Sequence, residues 1–332
     1  MRPVRGYSYH CPADSRHQDP DSELGLGLSL QFIKEATNSI TSDAPSLELV
    51  QTHLLLSIAY FGIGYGRSCW RELGKSQTNA ILSPGSAILL AFEMELHRES
   101  PLHAKSTVSL MDRELRRRCF WTCYVLDRFL VCGSMRPMII RDYDIKLRLP
   151  SSRESFVAGE PIEGSFFSAT IFQLSTPVLG PISSEMAFIG IVSILGRATS
   201  YLQHGGVKGD THFPWHSNSK LASLRAELAR WYSSLPQQFQ NSGSPDASMT
   251  LLTINCYHLI HCLVFRNFLP VDYQPENSGT TRAAVHRTWQ AETTEACISN
   301  ANEIANCLQI AYKTQGANIP PFTGQSAPSF PH

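Results

Sequence analysis

The chain has 332 residues, enough to bury a sizeable hydrophobic core in one large domain or two smaller ones. Its 28 basic residues are balanced by 28 acidic ones, so it lacks the strong positive field expected of a nucleic-acid-binding domain. Its nine cysteines are spread through apolar patterns of helical period and do not form the dense framework of a small secreted domain, which indicates reduced, buried thiols.

Both ends of the chain are predicted to be flexible, because residues 1–23 and 313–332 are rich in Pro, Ser, Gly and Gln and show no apolar period. The first thirty residues lack the continuous apolar region of a signal peptide. The apolar run 119–132 is shorter than the roughly twenty residues that a membrane span requires. The sequence therefore predicts a soluble intracellular protein without a membrane partner, folded over residues 24–312.

Helical periodicity dominates this folded part. In the stretch LASLRAELARWYSSL, apolar residues recur at steps of three and four, as in one amphipathic helix: Leu221, Leu224, Leu228, Trp231 and Leu235. Similar steps predict helices near residues 24–40, 46–65, 87–98, 112–132, 185–204, 247–268 and 284–312. Strand patterns are few, so the predicted fold class is all-α, a multi-helix array around a central buried helix at about residues 112–132.

The predicted central helix contains the stretch RRRCFWTCYVLDR, in which three arginines lead into an apolar run. Such a stretch could be a nucleic-acid contact, a membrane span or a buried helix with a charged pair. The balanced charge weighs against the first interpretation and the short length against the second. We expect Asp112 to be the N-cap, with Glu114 favourably placed in the first turn, and the arginines to form a solvated helix start that holds an acidic loop.

Asp127 and Arg128 need partners inside such a helix, because one unpaired ion in a medium of low dielectric constant costs several kcal/mol. Carboxylates follow in the loop GSMRPMIIRDYDIKLRLP, on a segment predicted to be extended. We expect an arginine, either Arg128 or Arg136, to meet one of these carboxylates and to pin the loop across the helix end. The residues of this predicted structural clasp are Asp127, Arg128, Arg136, Asp142 and Asp144.

A chemical role is the alternative to this structural one. The Asp142 and Asp144 pair could serve an effector or a reaction, and His258, His261 and Cys262 share a helical face that could ligate a metal. A fourth ligand is not evident, so packed core residues are the favoured interpretation of that face. The sequence predicts no catalytic residue, no metal site and no cofactor in this chain.

The stretch RRRCFWTCYVLDRFLVCGSMRPMIIRDYDIKLRLP resembles the signature of the fungal-specific transcription factor domain, the regulatory middle homology region of fungal zinc-cluster activators. In that family a basic R-R-x-x-F-W segment precedes a D-R pair, a G-R-P turn, D-x-D-I and a closing L-P. The matching positions are Arg117, Arg118, Trp121, Tyr124, Asp127, Arg128, Gly133, Arg136, Pro137, Asp142, Asp144, Ile145, Leu149 and Pro150. Other segments agree in order, so the resemblance covers about residues 30–312.

The resemblance implies a nuclear, non-enzymatic regulatory domain that controls RNA polymerase II transcription through conformational changes driven by an effector or a partner. The family's DNA-binding module is a binuclear zinc cluster of six cysteines, which nothing here matches because Cys11 stands alone. Zinc and DNA are therefore expected only through a missing module or a partner factor. A small-molecule effector and a homo- or heterodimer are further partners that this mode of action allows.

The chain departs from the family in residues 75–86, KSQTNAILSPGS, where Ser83, Pro84 and Gly85 break a helix that similar proteins continue. We interpret this stretch as a loop insertion or a retained intron. Two other functions are compatible with the sequence. One is a helical enzyme that uses the Asp142 and Asp144 pair or the His258 and His261 face, and the other is a truncated regulator that titrates partner factors.

Overall fold

Helices make up most of the computed structural model of this chain, which describes residues 20–40, 44–73, 87–99, 109–132, 136–161, 164–168, 182–240, 247–269 and 281–315. The α-helices in these ranges are α1 Pro20–Asn38, α2 Leu47–Gly62, α3 Gly66–Leu73, α4 Ala87–Glu93, α5 Leu110–Val131, α6 Arg153–Val157, α7 Ser184–Gln203, α8 Lys220–Ser234, α9 Ala247–Phe265 and α10 Thr281–Gln315. Strand-like pairing in the same ranges is limited to two isolated bridges, Arg98 with Lys146 and Arg148 with Phe166. The predicted all-α class is confirmed.

Serine residues begin half of these helices. The side-chain oxygens of Ser46, Ser109, Ser152, Ser183 and Ser219 each accept a hydrogen bond from the backbone N–H three residues further on. Each bond satisfies one of the N–H groups that a helix start leaves without an intrahelical partner. The expected N-cap of α5 was therefore wrong: Ser109 caps the helix, and the N–H of Asp112 donates to the Ser109 hydroxyl at 3.0 Å.

The central helix is α5, whose residues are almost all buried from Cys119 to Val131. It contacts α2, α3, α4 and α7. Phe120 and Tyr124 are fully buried, and aromatic rings of α5 meet each other and Phe167 edge to face at 5 to 6 Å. Burial of such a ring contributes about 1.5–3 kcal/mol, so this helix anchors the core.

Helix α9 packs between α7 and α10 in a second layer. Together with the 3-10 turn Arg266–Phe268 that follows, it forms the stretch Ser248–Phe268, the one helical stretch in the described ranges long and apolar enough to cross a bilayer by length and composition. More than half of that stretch is buried inside the protein, and core helices of proteins that stay in water pass the same test. Packing against α7 and α10 accounts for its apolar character.

Several helix boundaries differ from the predicted ones. The helix predicted over 87–98 ends at Glu93, because Glu95 takes a left-handed conformation with φ of 53° and the N–H of Leu96 returns to the carbonyl of Ala91 at 2.8 Å. Leu96 is then buried. Helix α1 starts at Pro20 and α10 continues to Gln315, beyond the predicted limits of 24–312. The proposed insertion at 75–86 lies outside the described residues.

Candidate functional site along the central helix

A segment that follows α5 runs back along it in the opposite direction; we call residues 136–152 the return segment. Its path is marked by hydrogen bonds from successive turns of α5: Asp127 with the N–H groups of Ile139 and Ile140, Tyr124 with Asp142, Trp121 with the carbonyl of Arg148, and Glu114 with the N–H of Ser151. The expectation of a loop pinned across the helix end was therefore too narrow. The contact extends over nearly the whole helix.

The C-terminal part of this contact contains a buried ion pair. Asp127 is fully buried, and its carboxylate accepts from Arg128 Nη1 at 2.7 Å and from the N–H groups of Ile139 and Ile140 at 3.1 Å. All of these partners are donors, which favours the ionised carboxylate. Burial raises the pKa of Asp127, whereas Arg128 and the two backbone N–H groups act to lower it.

Arg128 connects Asp127 to the return segment. Its Nη2 lies 2.7 Å from Oδ1 of Asp142, and its guanidinium stacks over the ring of Tyr124 at 3.9 Å from the centroid. The hydroxyl of Tyr124 donates to the same Oδ1 at 3.0 Å. The side chain of Arg128 is only 3% exposed, so this carboxylate and that of Asp127 are the counterions that make its burial tolerable.

Two of the predicted clasp residues stand apart from this ion pair. Arg136 donates to the carbonyl of Gly66 at 3.1 Å and lies over the ring of Trp70 at 5.3 Å, so it ties the return segment to α3. Asp144 makes no ion pair with Arg128 or Arg136 among the described contacts. The segment Asp142–Asp144 was predicted to be extended, which was wrong: it forms a 3-10 turn whose Asp142 carbonyl accepts from the N–H of Ile145.

The clasp continues into α7 and α8 through Arg197, a residue that the sequence did not single out. Its Nη1 lies 3.6 Å from Oδ2 of Asp142 and donates to the Ser193 hydroxyl at 2.7 Å, while Nε and Nη2 pair with Glu227 of α8. The preceding residue, Gly196, lets α7 approach closely, because a Cβ there would lie 3.1 Å from Arg128 Nε. Asp142 is therefore shared between an arginine of α5 and an arginine of α7.

A second charged cluster occupies the N-terminal part of α5. Glu114 is fully buried and accepts from Arg117, from Arg118 Nε at 2.9 Å and from the N–H of Ser151 at 2.9 Å. Arg117 is only 4% exposed and also binds Glu99, whose Oε1 accepts from Arg117 Nη2 at 3.0 Å. The expectation of a solvated arginine run was wrong for Arg117, which is a core ion.

Part of this second cluster could have been found in the sequence. Glu114 stands three and four residues before Arg117 and Arg118, the spacing at which opposite charges meet on one helical face. Glu99 lies in the connection that follows α4, where no periodic pattern relates it to α5. Only the bridge from Arg98 to Lys146 and the fold of the return segment bring it there.

The alternative His258 and His261 face is built from packed rings. Nδ1 of His258 lies 2.7 Å from Oδ1 of Asn300 on α10, and His261 packs edge to face on Tyr257 at 4.7 Å. Within the described ranges, no group of three or more His, Cys, Asp or Glu residues is placed to hold a metal ion. Cys262 faces Cys297 of α10, and its Sγ lies 3.6 Å from that residue's carbonyl oxygen. These contacts join α9 to α10.

His261 gives a prediction for the effect of acid. Burial, with smaller contributions from His258 and Arg225, lowers its pKa from 6.5 to about 4. Between these values the unfolded chain binds the proton and the folded chain does not, so stability is fully present above the unfolded pKa and is lost as the pH falls towards the folded one. We expect the free energy of unfolding to fall by about 1 kcal/mol per pH unit in this window. This is below the full linkage value because the ring is partly exposed.

The measurement is urea unfolding at a series of pH values across this window. His261→Phe keeps an aromatic ring beside Tyr257 and should flatten the profile, whereas His212→Phe, at an exposed position, should leave it as steep as before. An equally steep profile in His261→Phe would show that other groups cause the acid sensitivity.

Taken together, the fold and the paired charges define an all-helical domain whose buried ions hold one long segment against its central helix. The model of the fungal specific transcription factor domain matches residues 11–281, and the chain belongs to this family. Transcription factors of this kind are not enzymes. The predicted resemblance is confirmed.

Curated relatives agree with the family match. Zn(2)-C6 fungal-type transcription factor FTF1c of Fusarium oxysporum f. sp. lycopersici is 26% identical over 297 residues, covering 85% of this chain and 31% of the relative. Zn(2)-C6 fungal-type transcription factor FTF2 of the same fungus is 27% identical over 297 residues, covering 85% and 27%. The uncharacterized transcriptional regulatory protein C1327.01c of Schizosaccharomyces pombe is 30% identical over 231 residues, covering 64% and 22%.

The chain spans less than a third of the length of these relatives. No solved structure is significantly similar to it.

Proposed function

We propose that this chain is the regulatory domain of a fungal zinc-cluster-type transcription factor that acts in the nucleus on RNA polymerase II transcription. The family match over residues 11–281 carries this proposal. DNA and zinc binding are assigned to the zinc-cluster module of the family, because the names of the relatives specify Zn(2)-C6 factors. In the described ranges of this chain, no residue group suits a metal.

The mechanism proposed for the domain is conformational. Asp142 is shared by Arg128 of α5 and Arg197 of α7, so its position depends on how these two helices are packed. A buried ion pair has discrete arrangements, because breaking it leaves an uncompensated charge. An effector or partner that binds better when Asp142 is released from one arginine would shift the population between two packings of the return segment.

The geometry does not favour the enzyme alternative. Asp142 is engaged by Arg128 and Tyr124, Asp144 lies apart from the ion pair, and His258 bonds Asn300. The positive charges of the arginine run are likewise directed inward, since Arg117 binds two carboxylates and Arg118 donates to the carbonyl of Ser151 at 2.6 Å. These charges hold the fold, which suits a regulatory domain that leaves phosphate contacts to another module.

The test is a reporter assay in which the full chain is fused to an unrelated DNA-binding module. We expect the fusion to change reporter transcription relative to the module alone, and Asp142→Asn to shift that output at equal protein level. Lys208→Gln, an exposed substitution next to α7, is the matched control and should behave as the unaltered chain does. Output equal to that of the module alone, for both the unaltered chain and Asp142→Asn, would refute the proposed regulatory role.

A further inference from the structure

A cavity of about 310 Å³ lies next to the clasp, between the C-terminal half of α7, the 3-10 turn Gly206–Gly209 and the first half of α8. This volume is at the lower end of the range of about 300–1,000 Å³ that small-molecule sites occupy. Its described lining combines charged, hydroxyl and apolar groups: Arg197, Ser200, Tyr201, Lys220, Leu224 and Glu227. The size and composition suit a small polar metabolite.

One cation of this lining is available to an anion. Arg197 is already paired with Glu227 and lies near Asp142, whereas Lys220 forms no ion pair among the described residues. The N-terminus of α8 is not counted, because Asp210 already accepts from the N–H of Lys220 at 2.7 Å and Ser219 caps the helix. Among the described residues, the ammonium of Lys220 makes one long contact of 3.5 Å, to the carbonyl of Gly209, so it can turn to a ligand at little cost.

The contacts of Arg197 show which anion fits. Its guanidinium already pairs through two nitrogens with the carboxylate of Glu227, a planar group matched to the arginine fork. A ligand carboxylate can join Glu227 there without stranding it, because the guanidinium has five N–H donors. The rest of the wall supplies a serine hydroxyl at position 200 and the phenol of Tyr201, whose oxygen is buried without a hydrogen-bond partner among the described residues.

A buried phenol without a partner is costly, and an acceptor on a bound molecule would satisfy it. Burial raises the pKa of Tyr201 to about 12, so the phenol stays a donor near neutral pH. An organic acid that also carries a hydroxyl or amino group meets both requirements, since its carboxylate suits the two basic residues and its second polar group suits the hydroxyls.

We infer that this cavity binds a small hydroxy- or amino-carboxylate and that the bound acid loosens the clasp by drawing Arg197 away from Asp142. The regulatory role of this ligand rests on the proposed function, whereas its binding can be measured independently of that function. Asp142 competes with the ligand for Arg197, because Oδ2 of Asp142 lies 3.6 Å from Nη1 of Arg197. Coupling between the two is reciprocal, so releasing Arg197 from Asp142 must strengthen ligand binding by the same factor.

Calorimetric titration of the purified chain tests the site with malate, glutamate and inorganic phosphate, against sodium chloride of equal ionic strength. We expect malate or glutamate to bind one site per chain. Lys220→Gln should weaken that binding about tenfold, through loss of one charge-assisted hydrogen bond, and should leave the fold intact because the side chain is exposed. Lys208→Gln removes the same charge on the adjacent turn, outside the described lining, and should bind as the unaltered chain does.

The coupling is tested with Asp142→Asn, which should bind the same acid several-fold more tightly. Absence of binding by either acid, binding of phosphate alone, or unchanged affinity in Lys220→Gln would overturn the proposed site. Unchanged affinity in Asp142→Asn would overturn its link to the clasp. These outcomes are independent of the reporter assay: a silent reporter with intact binding refutes the transcriptional role, and an active reporter without binding refutes only the cavity.

Discussion

Asp127→Ala is expected to lower the free energy of unfolding by about 3–5 kcal/mol, because it leaves Arg128 buried without its nearest counterion. Arg128 is 3% exposed and would keep only the carboxylate of Asp142, which it shares with Arg197. The N–H groups of Ile139 and Ile140 would lose their acceptor as well. Arg128→Ala should cost a similar amount, since Asp127 would then be the stranded ion.

Urea unfolding of both variants measures these losses. The double variant Asp127→Ala with Arg128→Ala should cost clearly less than the sum of the two, because neither charge is then left alone. Asp112→Ala removes an exposed carboxylate from the same helix and should cost under about 1 kcal/mol. Losses below about 1 kcal/mol in both single variants would remove the buried ion pair from the account of this fold.

Glu114→Ala is the second substitution with a large expected effect: it should lower the free energy of unfolding by about 3 kcal/mol or more. Glu114 is fully buried and neutralises Arg117, and its Oε1 also accepts from Arg118 and from the N–H of Ser151. Arg117 would retain Glu99, which keeps the loss from being larger. The N-terminal end of the contact between α5 and the return segment should loosen first.

Thermal or urea unfolding can compare Glu114→Ala with Glu114→Gln, which keeps one acceptor oxygen and should cost less. Glu292→Ala, at an exposed position of α10, is the matched control and should be nearly neutral. A Glu114→Ala variant as stable as the control would mean that the arginine run is solvated after all.

The central helix and its charged pair were predictable because burial constrains both apolar and charged side chains. A helix that is apolar on nearly every side must be covered, and two opposite charges within it must find partners. The pairing of Arg128 with Asp142 follows that expectation, and the geometry of Asp127 adds two backbone donors that no pattern indicates. Whether these contacts regulate the protein stays a proposal.

Other features depended on information that a sequence pattern does not carry. Arg117 stands in a run of three arginines that suggests hydration, and only the approach of Glu99 from a distant connection makes its burial affordable. Helix α4 ends early because burying Leu96 outweighs the strain of a left-handed Glu95, a conformation usually taken by glycine or asparagine. The direction of the return segment is likewise a property of tertiary packing, and it decides which carboxylate reaches which arginine.

The helix α5 and the return segment are close in sequence, which affects how the protein folds. Their contacts join residues only 12 to 37 positions apart, from Asp127 with Ile139 to Glu114 with Ser151. The entropy cost of closing a loop is smaller for such short separations than for distant ones. The helix α5 and the return segment can therefore pair early in folding and offer an apolar surface to the later helices. We expect the later helices to dock on a nucleus in which Asp127, Arg128 and Glu114 already have partners.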